Sequence, residues 1–108
     1  MNAEEIRNYA LDKKDVEETF PFGEGVLVFK VNNKIFLLLS IAGEALSINL
    51  KCELDKAVLL REQYPDVIIP GYHMNKKHWN TAYPLFLRKS LVLEMIDDSY
   101  NLVANKKK

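Results

Sequence analysis

The chain alternates between two hydrophobic periods, and the changes between them outline its elements. VLVFKV (26–31) and KIFLLLSI (34–41) are apolar runs of strand length, separated only by Asn32-Asn33. Two such runs joined by two polar residues predict a β-hairpin. Asparagine suits that turn because it tolerates the positive φ that primed turns require. Gly43 and Glu44 mark the next turn, and ALSINLKC (45–52) alternates as a third strand, so 26–52 reads as an antiparallel meander. The period shifts to helical on either side. Asn2 and Glu5 have capping-box spacing, and Ala3, Ile6, Tyr9 and Ala10 share one face, which predicts a helix over 3–13. LDKAVLLREQY (54–64) stops before Pro65 and predicts a second helix.

The remainder is less regular. Residues 12–18 read as a charged connection, and Pro21 in TFPFG argues against a long strand there. VIIPGY (67–72) is extended and HWNTAY (78–83) alternates, so they predict a second hairpin with its tip at Asn75 to Lys77. After Pro84 a closing helix is expected from about Ser90 to Ala104, with Val92, Ile96, Ser99 and Val103 inward. The order helix, three strands, helix, two strands, helix describes an α+β sandwich. It has an antiparallel sheet of about five strands and helices packed on one face. Residues 1–108 form a single domain, with 105–108 expected to fray.

Composition narrows the class. A hydrophobic fraction of 48% in 108 residues is enough for a core without disulfides or metals. Fifteen basic and fifteen acidic residues give zero net charge, but unevenly: residues 1–20 carry −3 and residues 71–108 carry +4. The single cysteine, Cys52, excludes an internal disulfide and a CxxC zinc site. No apolar run reaches membrane-span length and the N-terminus MNAEEIRN is unlike a secretory signal. The expectation is a soluble, cytoplasmic, monomeric domain.

Candidate chemistry concentrates in PGYHMNKKHWNTAY (70–83). A metal there is disfavoured, because His73 and His78 lack nearby cysteine or carboxylate partners. Catalysis is disfavoured too. Cys52 reads as a buried residue closing a strand, the serines lie in no nucleophile elbow, and no glycine-rich phosphate loop exists. Neither an enzyme nor a cofactor is expected. The mixture does suit nucleic acid. Lys76, Lys77 and His78 at a hairpin tip can reach phosphates, Trp79 and Tyr72 offer stacking faces, and Asn75, Asn80 and Thr81 can hydrogen-bond. Lys51, Arg61, Arg88 and Lys89 would extend that surface if the fold gathers them. The competing reading makes the aromatics packing residues and the lysine pair a solvated turn.

FPFG (20–23), LVFKVNNKIF (27–36), INLKC (48–52), EQYPDVIIPGYHMNKKHWNT (62–81) and SYNLV (99–103) together resemble the MmcQ/YjbR family of small bacterial proteins. The resemblance implies a fold similar to frataxin-like CyaY proteins. It also implies a DNA-binding role proposed for the family, through a double wing of two protruding hairpins. Carried over by position, His73, Met74, Asn75, Lys76, His78, Trp79 and Asn80 fall in the signature and Lys51 in the NLK element. After Thr81 the chain departs from the family's polar, glycine-containing loop and reads AYPLFLRKS. An exposed LFL (85–87) would favour a protein-interaction module. A deep pocket at Tyr72, His73, Trp79 and Asn80 would favour a small ligand.

Overall fold

The computed structural model describes residues 1–43, 45–71, 75 and 77–105. They form α1 (Ala3–Leu11), β1 (Glu17–Thr19), β2 (Val26–Val31), β3 (Lys34–Ser40), β4 (Ser47–Lys51), α2 (Leu54–Gln63), β5 (Ile68–Pro70), β6 (Trp79–Ala82), a 3₁₀ turn (Pro84–Phe86) and α3 (Lys89–Ala104). The strands build one sheet in the order β1-β2-β3-β4-β6-β5, every neighbouring pair antiparallel. This is the expected α+β architecture with one strand more. The addition is β1, which pairs Glu17 with Lys30 and Thr19 with Val28 in what the sequence reads as a connection. Three residues are too few for a period to register.

The elements arise from local chemistry. Asn2 accepts the Glu5 amide while Glu5 accepts the Asn2 amide, closing the capping box that starts α1. Asn32 and Asn33 take φ of 53° and 66°, which gives the two-residue turn between β2 and β3 its primed geometry. Leu27, Phe29 and Val31 of β2 pack with Leu37, Leu39, Ile48 and Leu50 against Ile6, Leu60 and Ile96 of the helices. Strand alternation sends the row Val28, Leu38, Asn49 and Thr81 to the opposite face. There the Thr81 hydroxyl donates to Asn49 Oδ1 at 2.6 Å.

A bulge decides how the sheet ends. Phe29 pairs with Leu37 but Lys30 pairs with Ile35, so Phe36 is an extra residue in β3. Both Phe36 and Leu37 therefore reach the core, where the Phe36 ring meets Tyr100 edge-on at 5.3 Å. The β3–β4 ladder stops at Leu37–Leu50. Beyond it, the buried Ser99 hydroxyl of α3 donates to the Phe36 carbonyl at 2.6 Å and accepts the Lys51 amide at 2.9 Å. One side chain thus bridges β3 and β4 just past their last backbone pair.

The helices are tied down by polar contacts. Tyr9 and Lys13 both donate to Asp97 of α3, at 2.7 and 2.5 Å, and Arg7 grips Glu18 of β1 through two bonds. The hydrogen bond to Asp97 pushes the Tyr9 phenol up to about 12. No helix among the described residues is long and apolar enough to cross a membrane.

Candidate nucleic-acid interface

The strand register gathers chemistry that the sequence scatters. Val31 pairs with Lys34, Lys51 with Trp79, and Pro70 with Asn80. The β2–β3 turn, the end of β4 and the connection from β5 to β6 therefore lie at one end of the sheet. Lys34, Lys77 and Asn75 are exposed there, while Lys51 and His78 are half-buried. Two inter-strand spacings, about 10 Å, separate strand β3, which begins at Lys34, from strand β6, which Lys77 precedes. Among the described residues, neither Lys34 nor Lys77 makes a salt bridge.

Local bonds shape the second tip. The Asn75 side chain accepts the Lys77 amide at 2.9 Å, and its carbonyl accepts the His78 amide at 3.1 Å. This Asx turn sets the direction of Lys77. The His78 carbonyl accepts the Cys52 amide at 2.7 Å, stitching the tip to the end of β4. Gly71 donates to the Trp79 carbonyl at 2.9 Å, and a Cβ at Gly71 would lie 2.9 Å from that of Trp79. Glycine is needed there for close approach.

Several predicted contact residues take other places. Asn80 is only 3% exposed; it accepts from Arg61 Nε at 2.7 Å and donates to the Ala57 carbonyl at 3.4 Å. It fastens β6 to α2, and in this conformation offers no base contact. Trp79 is 8% exposed, on the face of β6 opposite Asn80, so it supports the hairpin without presenting a stacking surface. Arg61 is engaged with β6. Arg88 and Lys89 lie beyond the other end of β6, at the start of α3. The described basic residues of the C-terminal third, Lys77, Arg88 and Lys89, therefore do not form one patch. His73, Lys76, Tyr72 and Met74 fall outside the described residues.

Beside the second tip, where β4 ends and α2 begins, lies an open groove of mixed charge. One part, about 410 Å³, is lined by Lys51, Cys52, Glu53, Asp55 and His78, among others. An adjoining part of about 320 Å³ adds Lys56, Asp98 and Asn101. Lys56 bonds Glu94 at 2.7 Å and Asp98 at 2.6 Å, and those bonds push its ammonium pKa upward. Glu53 and Asp55 are exposed. The groove floor is thus no cationic cradle for an anion. Burial raises the Cys52 thiol pKa and keeps it protonated, an inert closure of β4. No group of three or more metal-ligating side chains occurs among the described residues.

The sequence reading missed Lys34, although a lysine directly after an Asn-Asn turn is a legible sign of a charged tip. It also missed the acids of the groove, Glu53, Asp55 and Asp98. At the far end of β6, Leu85 is 61% and Phe86 72% exposed, while Leu87 is buried.

Comparison with known proteins supplies the wider setting. The Escherichia coli O157:H7 protein YbdF is 43% identical over 103 residues, covering 94% of this chain and 84% of that one. YjbR of E. coli K12 is 29% identical over 106 residues, covering 97% and 89%. Among solved structures, Deinococcus radiodurans DR2400 superposes with a TM-score of 0.90 at 34% identity, covering 97% of this chain and 80% of that one. A Pseudomonas syringae protein superposes at 0.82 and 30% identity, covering 95% and 99%. The YjbR family model matches residues 11–102, and the chain belongs to the YjbR family.

Proposed function

We propose that this protein binds DNA through its phosphate backbone, using the two hairpin tips at one end of the sheet, in the cytoplasm. The observation that carries the reading is the placement of Lys34 and Lys77. Both are exposed and free of salt bridges among the described residues, on separate hairpins aligned by the strand register. Lys51 lies on the strand between them. Lys76 belongs to the same tip in sequence. Two cations at the ends of strands about 10 Å apart suit contact with separate phosphates, which positions a protein without reading sequence. Zero net charge and the acids of the groove favour local binding of modest affinity.

Three or four phosphate contacts predict a fall in affinity on the order of a hundredfold between 50 and 200 mM salt. Fluorescence anisotropy with labelled duplex and single strand at both concentrations tests this. Absence of binding to either at 50 mM overturns the proposal. Exposure of Leu85 and Phe86 favours a second reading, a protein-interaction module that binds no DNA.

A further inference from the structure

The end of the sheet opposite the lysine tips is unusually apolar. The register sets Val26 against Ser40, Ser40 against Ser47 and Ile48 against Ala82. The β1–β2 connection, the residues after β3 and the 3₁₀ turn after β6 therefore share that end. Phe20 is 53% and Phe22 66% exposed; Ile41, Leu85 and Phe86 are exposed as well. With roughly 200 Å² per aromatic ring, the exposed parts of the three phenylalanines present about 400 Å². Ile41 and Leu85 bring the summed apolar exposure at this end to about 600 Å².

The charged residues adjoining these apolar groups in sequence differ in sign, although Lys89 also faces Glu5 and Asp12 of α1. Exposed Glu24 lies in the connection that carries Phe20 and Phe22, while exposed Arg88 and Lys89 follow Phe86. A surface with an acid beside one apolar half and two bases beside the other is complementary to itself after a two-fold rotation. That is the condition for an isologous interface. We propose that a second copy of this chain covers this end, with Phe20, Phe22 and Glu24 of each copy meeting Leu85, Phe86, Arg88 and Lys89 of the other. Burying about 600 Å² on each side gives about 1,200 Å² in total, at the lower bound for specific complexes. The dimer is therefore reversible, and it differs from the monomer expected from sequence. Its surface lies away from the lysine tips and does not depend on DNA binding.

Sedimentation velocity between about 1 and 200 μM at low salt tests this, without nucleic acid. The expected result is a concentration-dependent dimer. Phe22→Ser with Phe86→Ser should weaken it by about a hundredfold, since each ring is an anchor of the kind that dominates interfaces. Both positions are exposed, so the thermal midpoint of the monomer should hold. Glu24→Lys alone and Arg88→Glu with Lys89→Glu should each weaken association several-fold, and the three together should restore it. A chain that stays monomeric throughout the range overturns the proposal. So does a dimer indifferent to these substitutions, or charge variants that do not rescue one another.

Discussion

Replacing Ser99 with alanine should destabilise the protein far more than loss of one small polar group suggests. Ser99 is fully buried, and its hydroxyl bonds the Phe36 carbonyl and the Lys51 amide. Both backbone groups lie one step past Leu37–Leu50, the last pair of the β3–β4 ladder. Alanine leaves both without their partner. At roughly 1–3 kcal/mol for each unpaired group, less what the strands recover by closing together, the loss should be about 2–4 kcal/mol. Against a total of about 5–15 kcal/mol this is a large share. Urea unfolding followed by circular dichroism should show the midpoint falling by about 1–2 M with the slope unchanged. Hydrogen exchange adds a local test, because the Lys51 amide should exchange faster in the variant. A loss below about 0.5 kcal/mol, the range of ordinary surface substitutions, would refute the bridging role and mean that Phe36 and Lys51 pair directly.

Other substitutions separate packing from binding. Asn80→Ala should cost about 1–3 kcal/mol by removing the acceptor of Arg61 Nε and the donor to the Ala57 carbonyl, read by thermal melting, with little change in DNA affinity where the variant remains folded. Glu53→Gln with Asp55→Asn should raise DNA affinity two- to tenfold by anisotropy at 50 mM salt, since both acids line the groove beside Lys51 and His78. Tyr9 donates to Asp97 only while protonated, and its pKa rises from 10.0 to about 12 on folding. A raised folded-state pKa means that the contribution is complete below pH 10 and is lost as pH climbs toward 12. Tyr9→Phe should therefore be less stable than the parent by about 1 kcal/mol at pH 8, discounted for the partly exposed Asp97, and the gap should close toward pH 12.

What the sequence revealed depended on the range of the interaction. The Asn32-Asn33 turn was legible because positive φ at two successive residues demands particular side chains. The capping box at Asn2 was legible because it closes within four residues. The Phe36 bulge was not, since KIFLLL is continuously apolar and an extra residue leaves no break in it. Nor was the role of Asn80. Its membership in a polar motif suggested a surface, but β6 turns its side chain toward Arg61 of α2. The cations show the same divide. Lys77 and Lys89 are near in sequence, yet β6 carries the chain between opposite ends of the sheet. Lys34 and Lys77 are distant in sequence, yet the register aligns them. Only strand order reveals that pairing.

The central claim is that Lys34 and Lys77 act together on one phosphate backbone. The logarithm of duplex affinity against the logarithm of salt, for the parent protein and for Lys34→Gln with Lys77→Gln, tests it most directly. Each phosphate contact contributes about −0.9 to the slope, so the parent should give about −3 and the double variant should be shallower by about 1.8. Two parallel lines would contradict the account, whatever the affinities themselves.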